Sequence, residues 1–220
     1  LQYVTDAWNY AMGTLGHDTS YMKCWWWPTS TNWPVYTGSG NINVGGADDD
    51  AEDVLKHEYG HRFMDDTYGG FPPGSGGSHN IYGHYTLGLA WSEGYATYFA
   101  AAAQNDGGYV TWTNPTNCYT VNYDDNNDGH GSANGNSDDL SNGVGNYGYD
   151  TESAVAAMLI DLEDPSEAGS DSYDWADYSD LDVHHVYQQT YGGHFLYSIN
   201  EFIEKWYDYH GNQPKFNGQC

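Results

Sequence analysis

The sequence predicts an α+β fold: a small twisted sheet and one long helix over residues 1–68, then a mainly helical lobe over 69–220, together one domain. Three observations lead there. Short aromatic and β-branched runs bounded by Pro and Gly lie between residues 21 and 44. A stretch with acids first and a Gly pair after it fills 47–70, the pattern of a capped helix. Later segments place apolar residues at helical spacing.

Taken in order, Thr5–Leu15 predicts a first helix, and "YMKCWWWP" and "PVYTGSGNINV" predict strands. On a strand Trp25, Trp26 and Trp27 alternate faces, so at least one points outward, where it could bind carbohydrate; burial against the sheet is the commoner outcome. "ADDDAEDVLKHEYGHRFMDDTYGG" is the clearest helix, with Asp48, Asp49, Asp50, Glu52 and Asp53 read as helix-start charges on a solvated face. Gly and Pro make "GGFPPGSGGSHNIYGHY" a loop, and helix resumes at about Leu89 through "AWSEGYATYFAAAA". Residues 105–149 are a long Gly, Asn and Asp loop, too long for a bare connection without a task or a ligand. "TESAVAAMLIDLED" sets Val155, Leu159 and Leu162 on one helix face, and "SINEFIEKWYDYH" is a last amphipathic helix. No internal repeat is apparent.

Charge narrows the function. Five Lys plus Arg against 31 Asp plus Glu give a formal charge of -26 and a pI near 4.1. Such a chain repels nucleic acid and anionic membranes, whose phosphates need basic partners. It also repels itself, which points to surroundings that screen or neutralise it: salt, divalent cations or acid. Cys24, Cys118 and Cys220 allow at most one intramolecular disulfide and match no zinc-binding spacing. No apolar run reaches the roughly 18 residues of a membrane span. A chain opening at Leu1 with a loop-rich acidic surface is expected to be a processed, secreted, extracellular monomer.

The chemistry lies in "HEYGH". On a helix His57 and His61 share a face, so both imidazoles can close on one cation while Glu58 reaches a water beside it. Chance yields about 0.02 such patterns in this composition, so the motif is informative. A catalytic zinc takes three protein ligands and keeps one open position. Glu93, the lone carboxylate of "AWSEGYATYFAAAA", is the candidate third, because a dication would offset the cost of burying it. As a first-turn acid behind a Ser92 cap it would be explained by the helix dipole, but its apolar surroundings would not.

"HEYGH" followed by "AWSEGYATYF" resembles the gluzincin zinc metallopeptidases, and more closely a secreted microbial group distantly similar to thermolysin; "ESAVAAMLIDLED" and "EFIEKWYDYHG" resemble that group's later helices. The resemblance implies a zincin-like fold, one catalytic zinc held by His57, His61 and Glu93, Glu58 as general base, and hydrolysis of a protein or peptide substrate. It also implies a C-terminal Tyr or His that stabilises the oxyanion. "HHVYQQTYGGH" offers His184, His185, Tyr187, Tyr191 and His194, from which His185 and Tyr191 are taken. In thermolysin-type members an Asp four residues after the ligand Glu supports a ligating His; here Thr97 stands there, leaving that support unassigned.

"DDNNDG" places Asp124, Asn126 and Asp128 before Gly129 in the manner of a calcium loop, though the closing Glu of an EF-hand is missing, and Asp138 or Asp139 would have to serve. Glu152 reads equally as a first-turn helix acid and as a residue facing substrate or metal. Two other functions remain open: a noncatalytic, calcium-stabilised extracellular surface or carbohydrate-binding module, and a zinc hydrolase acting on peptidoglycan or free N-termini.

Overall fold

The computed structural model describes residues 2–19, 21–30, 32–45, 51–104, 108–114, 117–122, 148–163 and 178–211, with backbone alone for 108–114, 117–122, 161 and 163. Helix α1 (Gln2–Gly13) precedes strands β1 (Lys23–Trp27), β2 (Val35–Tyr36) and β3 (Asn41–Gly45), then helices α2 (Glu52–Tyr68) and α3 (Leu87–Ala102). Strands β4 (Gly108–Asn114) and β5 (Asn117–Asn122) follow, then α4 (Glu152–Glu163), α5 (Asp180–Tyr187), β6 (Thr190–Tyr191), β7 (His194–Phe195) and α6 (Ile199–His210).

Among the described residues the first sheet has three strands in the order β1-β3-β2. β1 runs parallel to β3 with Cys24 opposite Ile42, and β2 antiparallel with Tyr36 opposite the same residue. Ile42 and Val44, two positions apart on β3, both enter the core. Burial of the tryptophans is not found: Trp25, Trp26 and Trp27 are 49%, 57% and 56% exposed. Trp25 and Trp27 share one face of β1 and Trp26 takes the other, so both faces of this strand are open.

Helix α2 ends where the sequence places its stop, at Gly69, whose φ of 68° lets its N–H reach the Asp65 carbonyl. Asp53 departs from the solvated-face expectation, being buried and hydrogen-bonded by the Gln104 side chain. Helix α3 begins two residues before the expected Leu89, capped by the Thr86 hydroxyl, which accepts from the Leu89 N–H at 3.2 Å. Glu93 therefore sits inside the helix, not in a first turn behind a Ser92 cap. Every residue from Gly88 to Ala101 is buried, which is why the segment is apolar on all sides.

Two glycines set how closely α3 meets its neighbours. A Cβ on Gly60 of α2 would stand 2.9 Å from the Ala96 Cα, and one on Gly94 would stand 2.5 Å from the Val155 Cβ of α4. Helix α3 thus lies in contact with α2 on one side and α4 on the other. Tyr95 of α3 stacks on Tyr187 of α5 with ring centroids 3.7 Å apart, and Trp91 packs against Phe202 of α6 at 5.6 Å. Val155, Leu159 and Leu162 are buried as expected, but so are Ala154, Ala156 and Ala157, so α4 is enclosed on more than one face.

The reading of 105–149 as one loop is corrected. β4 and β5 pair antiparallel within it, Trp112 opposite Cys118 and Val110 opposite Thr120. "YVTWT" and "CYTV" are rich in strand-forming residues, a signal masked by the Gly, Asn and Asp content of the whole segment. Asp124, Asn126, Asp128, Asp138 and Asp139 lie outside the described residues. Cys24 is half-buried and carries no disulfide among the described residues; burial pushes its thiol up.

Candidate metal centre

The helix crossing at Gly60 and Ala96 brings the residues that flank each of them together. His57 and His61 project from α2 on either side of Gly60, and Glu93 and Thr97 project from α3 on either side of Ala96. Glu93 Oε2 lies 3.1 Å from His57 Nε2 and 3.0 Å from His61 Nε2. All three side chains are buried, and the two rings meet edge to face at 4.6 Å.

Behind His57 the contacts continue. Its Nδ1 is 3.0 Å from Thr97 Oγ1, and the Thr97 hydroxyl donates to Glu152 Oε1, also at 3.0 Å. A hydroxyl has one proton; with that given to Glu152, Thr97 can only accept from His57 Nδ1–H. With Nδ1–H given to Thr97, Nε2 of a neutral His57 ring is a lone pair available to a metal, and Nε2 of a protonated ring donates to Glu93.

These three side chains could hold a zinc ion. Bonds of about 2.0–2.1 Å in a tetrahedron separate neighbouring donors by about 3.3 Å, close to the distances found, and two imidazoles with one carboxylate form a catalytic donor set. His61 Nδ1 is buried with no hydrogen-bond partner among the described residues.

Charge in the cluster is strongly coupled. Burial works against an imidazolium at His61, but the Glu93 carboxylate outweighs it and lifts the ring to about 9. Burial would raise Glu93, yet His61 and the hydrogen bonds from the surrounding imidazoles hold it well below the usual carboxylate range. Burial lowers His57. Glu58 accepts from the Tyr36 N–H at 2.5 Å, and loss of solvent pushes its carboxyl up to about 7, opposed mainly by His61.

Two further residues join the cluster. His79 Nε2 is 3.3 Å from Glu93 Oε2 and 3.8 Å from Glu152 Oε2, while its Nδ1 donates to the Gly77 carbonyl at 3.2 Å. His79, Glu93 and Glu152 form a second group whose ligand atoms lie within 4.8 Å of one another. His79 was missed because it stands in a Gly, Ser and Pro loop without periodicity; no signal in the sequence marks it.

No described contact joins the oxyanion candidates to the cluster. His185 is exposed with its Nδ1 3.5 Å from the Tyr209 hydroxyl, and Tyr191 lies under Lys205, whose Nζ is 5.9 Å from the ring centre. Both touch α6, and Tyr191 also meets the His194 ring at 6.2 Å. His184 is buried beside Phe63, Tyr187 is in the aromatic stack with Tyr95, and His194 stacks on Tyr197.

The Mycolysin C-terminal domain family model matches residues 4–191, a stretch that includes α2, α3 and α4 and with them every residue of the cluster. The chain belongs to that family. No curated protein and no solved structure matches it. Mycolysin C-terminal domains occur in the context of secreted peptidases. No helix among the described residues is long and apolar enough to cross a membrane.

Proposed function

We propose that this member of the Mycolysin C-terminal domain family is a secreted zinc-dependent endopeptidase of gluzincin type with a zincin-like fold. One observation carries the reading: His57 Nε2, His61 Nε2 and Glu93 Oε2 converge from two helices on a single buried point, with Glu58 one position along α2. Zinc held by these three would supply Lewis acidity toward a peptide carbonyl and an acidified water. Glu58 takes the proton from the attacking water and delivers it to the leaving amine. The Tyr36 N–H holds Glu58 in place and ties the base to the sheet.

The test is zinc content and casein hydrolysis of the wild type and Glu58→Gln. Both should hold about one zinc per chain, and only the wild type should cleave. Zinc in neither excludes the site, and equal cleavage by both excludes the role of Glu58. The three exposed tryptophans of β1 favour a second reading, a noncatalytic carbohydrate-binding module. It predicts polysaccharide binding weakened by Trp26→Ala and no cleavage by the wild type.

A further inference from the structure

Behind His57 stands Thr97, and the contacts continue past it. The hydroxyl of Thr97 is fully buried between the His57 ring and Glu152. Glu152, at the start of α4, is itself 4% exposed. Its two oxygens face different ways: Oε1 accepts from Thr97, and Oε2 faces His79, which bonds the carboxylate of Glu93.

A first-turn acid placed there only for the helix dipole would gain little from such burial, since dipole effects are modest and are satisfied at the surface. Close packing fixes the arrangement instead. A Cβ on Gly94 would stand 2.8 Å from the Glu152 carbonyl oxygen, so α4 starts directly against the turn of α3 that carries Glu93 and Thr97.

We infer that Glu152 is the positioning residue of the metal centre, orienting His57 through the Thr97 hydroxyl and Glu93 through His79. Resting on the zinc reading above, it assigns Thr97 the task of committing the His57 proton to Nδ1, so that Nε2 is the ligating nitrogen. Residues that fix the proton and angle of a metal-bound imidazole typically govern affinity by about 10- to 100-fold.

Zinc affinity by chelator competition tests this on the wild type, Thr97→Val, Thr97→Ser and Glu152→Gln, each kept below its metal-free melting temperature. Thr97→Val should weaken zinc binding by about 10- to 100-fold, Thr97→Ser should restore it to within about threefold, and Glu152→Gln should weaken it at least as much as Thr97→Val. Nitrogen NMR of the His57 ring in metal-free protein should report a proton on Nδ1 in the wild type and Thr97→Ser, and lose that preference in Thr97→Val. A Thr97→Val protein that melts lower yet binds zinc as tightly as the wild type would overturn the inference and reduce the contact to packing. A wild type that binds no zinc would overturn the metal reading and this one with it. Zinc bound and weakened as described, but without peptide hydrolysis, would overturn the peptidase reading and support the relay.

Discussion

Gly60 and Ala96 face each other at the crossing of α2 and α3, so closely that a methyl group on Gly60 would stand 2.9 Å from the Ala96 Cα and 3.1 Å from its carbonyl oxygen. Both obstacles are backbone and cannot rotate away. Gly60→Ala is therefore expected to push the helices apart, lowering stability by about 1–3 kcal/mol and moving Glu93 away from the two histidines. Urea denaturation gives the first effect and chelator competition for zinc the second. Full stability and unchanged zinc affinity would mean that the crossing is looser than described.

Zinc should stabilise the fold, because only the native chain brings α2 and α3 together. At a free concentration about a thousandfold above Kd, binding adds about 4 kcal/mol. For a domain of this size that raises Tm by about 10 °C. The rise should vanish in His61→Ala, as calorimetry with and without chelator would reveal.

His184 should make stability depend on pH away from the histidine and glutamate cluster. Burial, helped by the nearby His17 and His185, lowers its ring from 6.5 to about 4. Between those values the unfolded chain binds the proton and the folded chain does not, so stability is complete above about 6.5 and falls as the pH drops toward 4. The loss should approach about 3 kcal/mol. Urea midpoints at pH 7.5 and 4.5 should fall further for the wild type than for His184→Leu; equal falls would refute the assignment.

His185 and Tyr191 contact α6 and have no described contact with the histidine and glutamate cluster. His185→Ala and Tyr191→Phe should hold kcat/KM on a peptide substrate within about twofold. A loss of about a hundredfold in either, the size typical of a missing oxyanion donor, would restore it to the reaction.

The parts of the site that the sequence reveals are those with a period or a cost. His57 and His61 are visible because four residues make one helical turn, and Glu93 because a carboxylate amid Ala, Trp, Tyr and Phe demands a partner. Thr97 is visible only as a missing Asp, since a threonine in a helix carries no distinctive signal. Glu152 is ambiguous because a first-turn acid is common for reasons unrelated to any ligand. His79 depends on how an irregular loop folds back onto α3, which no local pattern encodes. The same holds for the fold: α2 announces its stop through Gly69, whereas β4 and β5 disappear in the average composition of their segment, and the exposure of Trp25–Trp27 depends on which elements cover the faces of β1, which no local pattern encodes.

Anomalous diffraction at the zinc edge from zinc-soaked crystals tests the central claim most directly. A single strong peak within about 2.0–2.2 Å of His57 Nε2, His61 Nε2 and a Glu93 oxygen is expected. No peak there, or one held by other side chains with these three still hydrogen-bonded to one another, would contradict it.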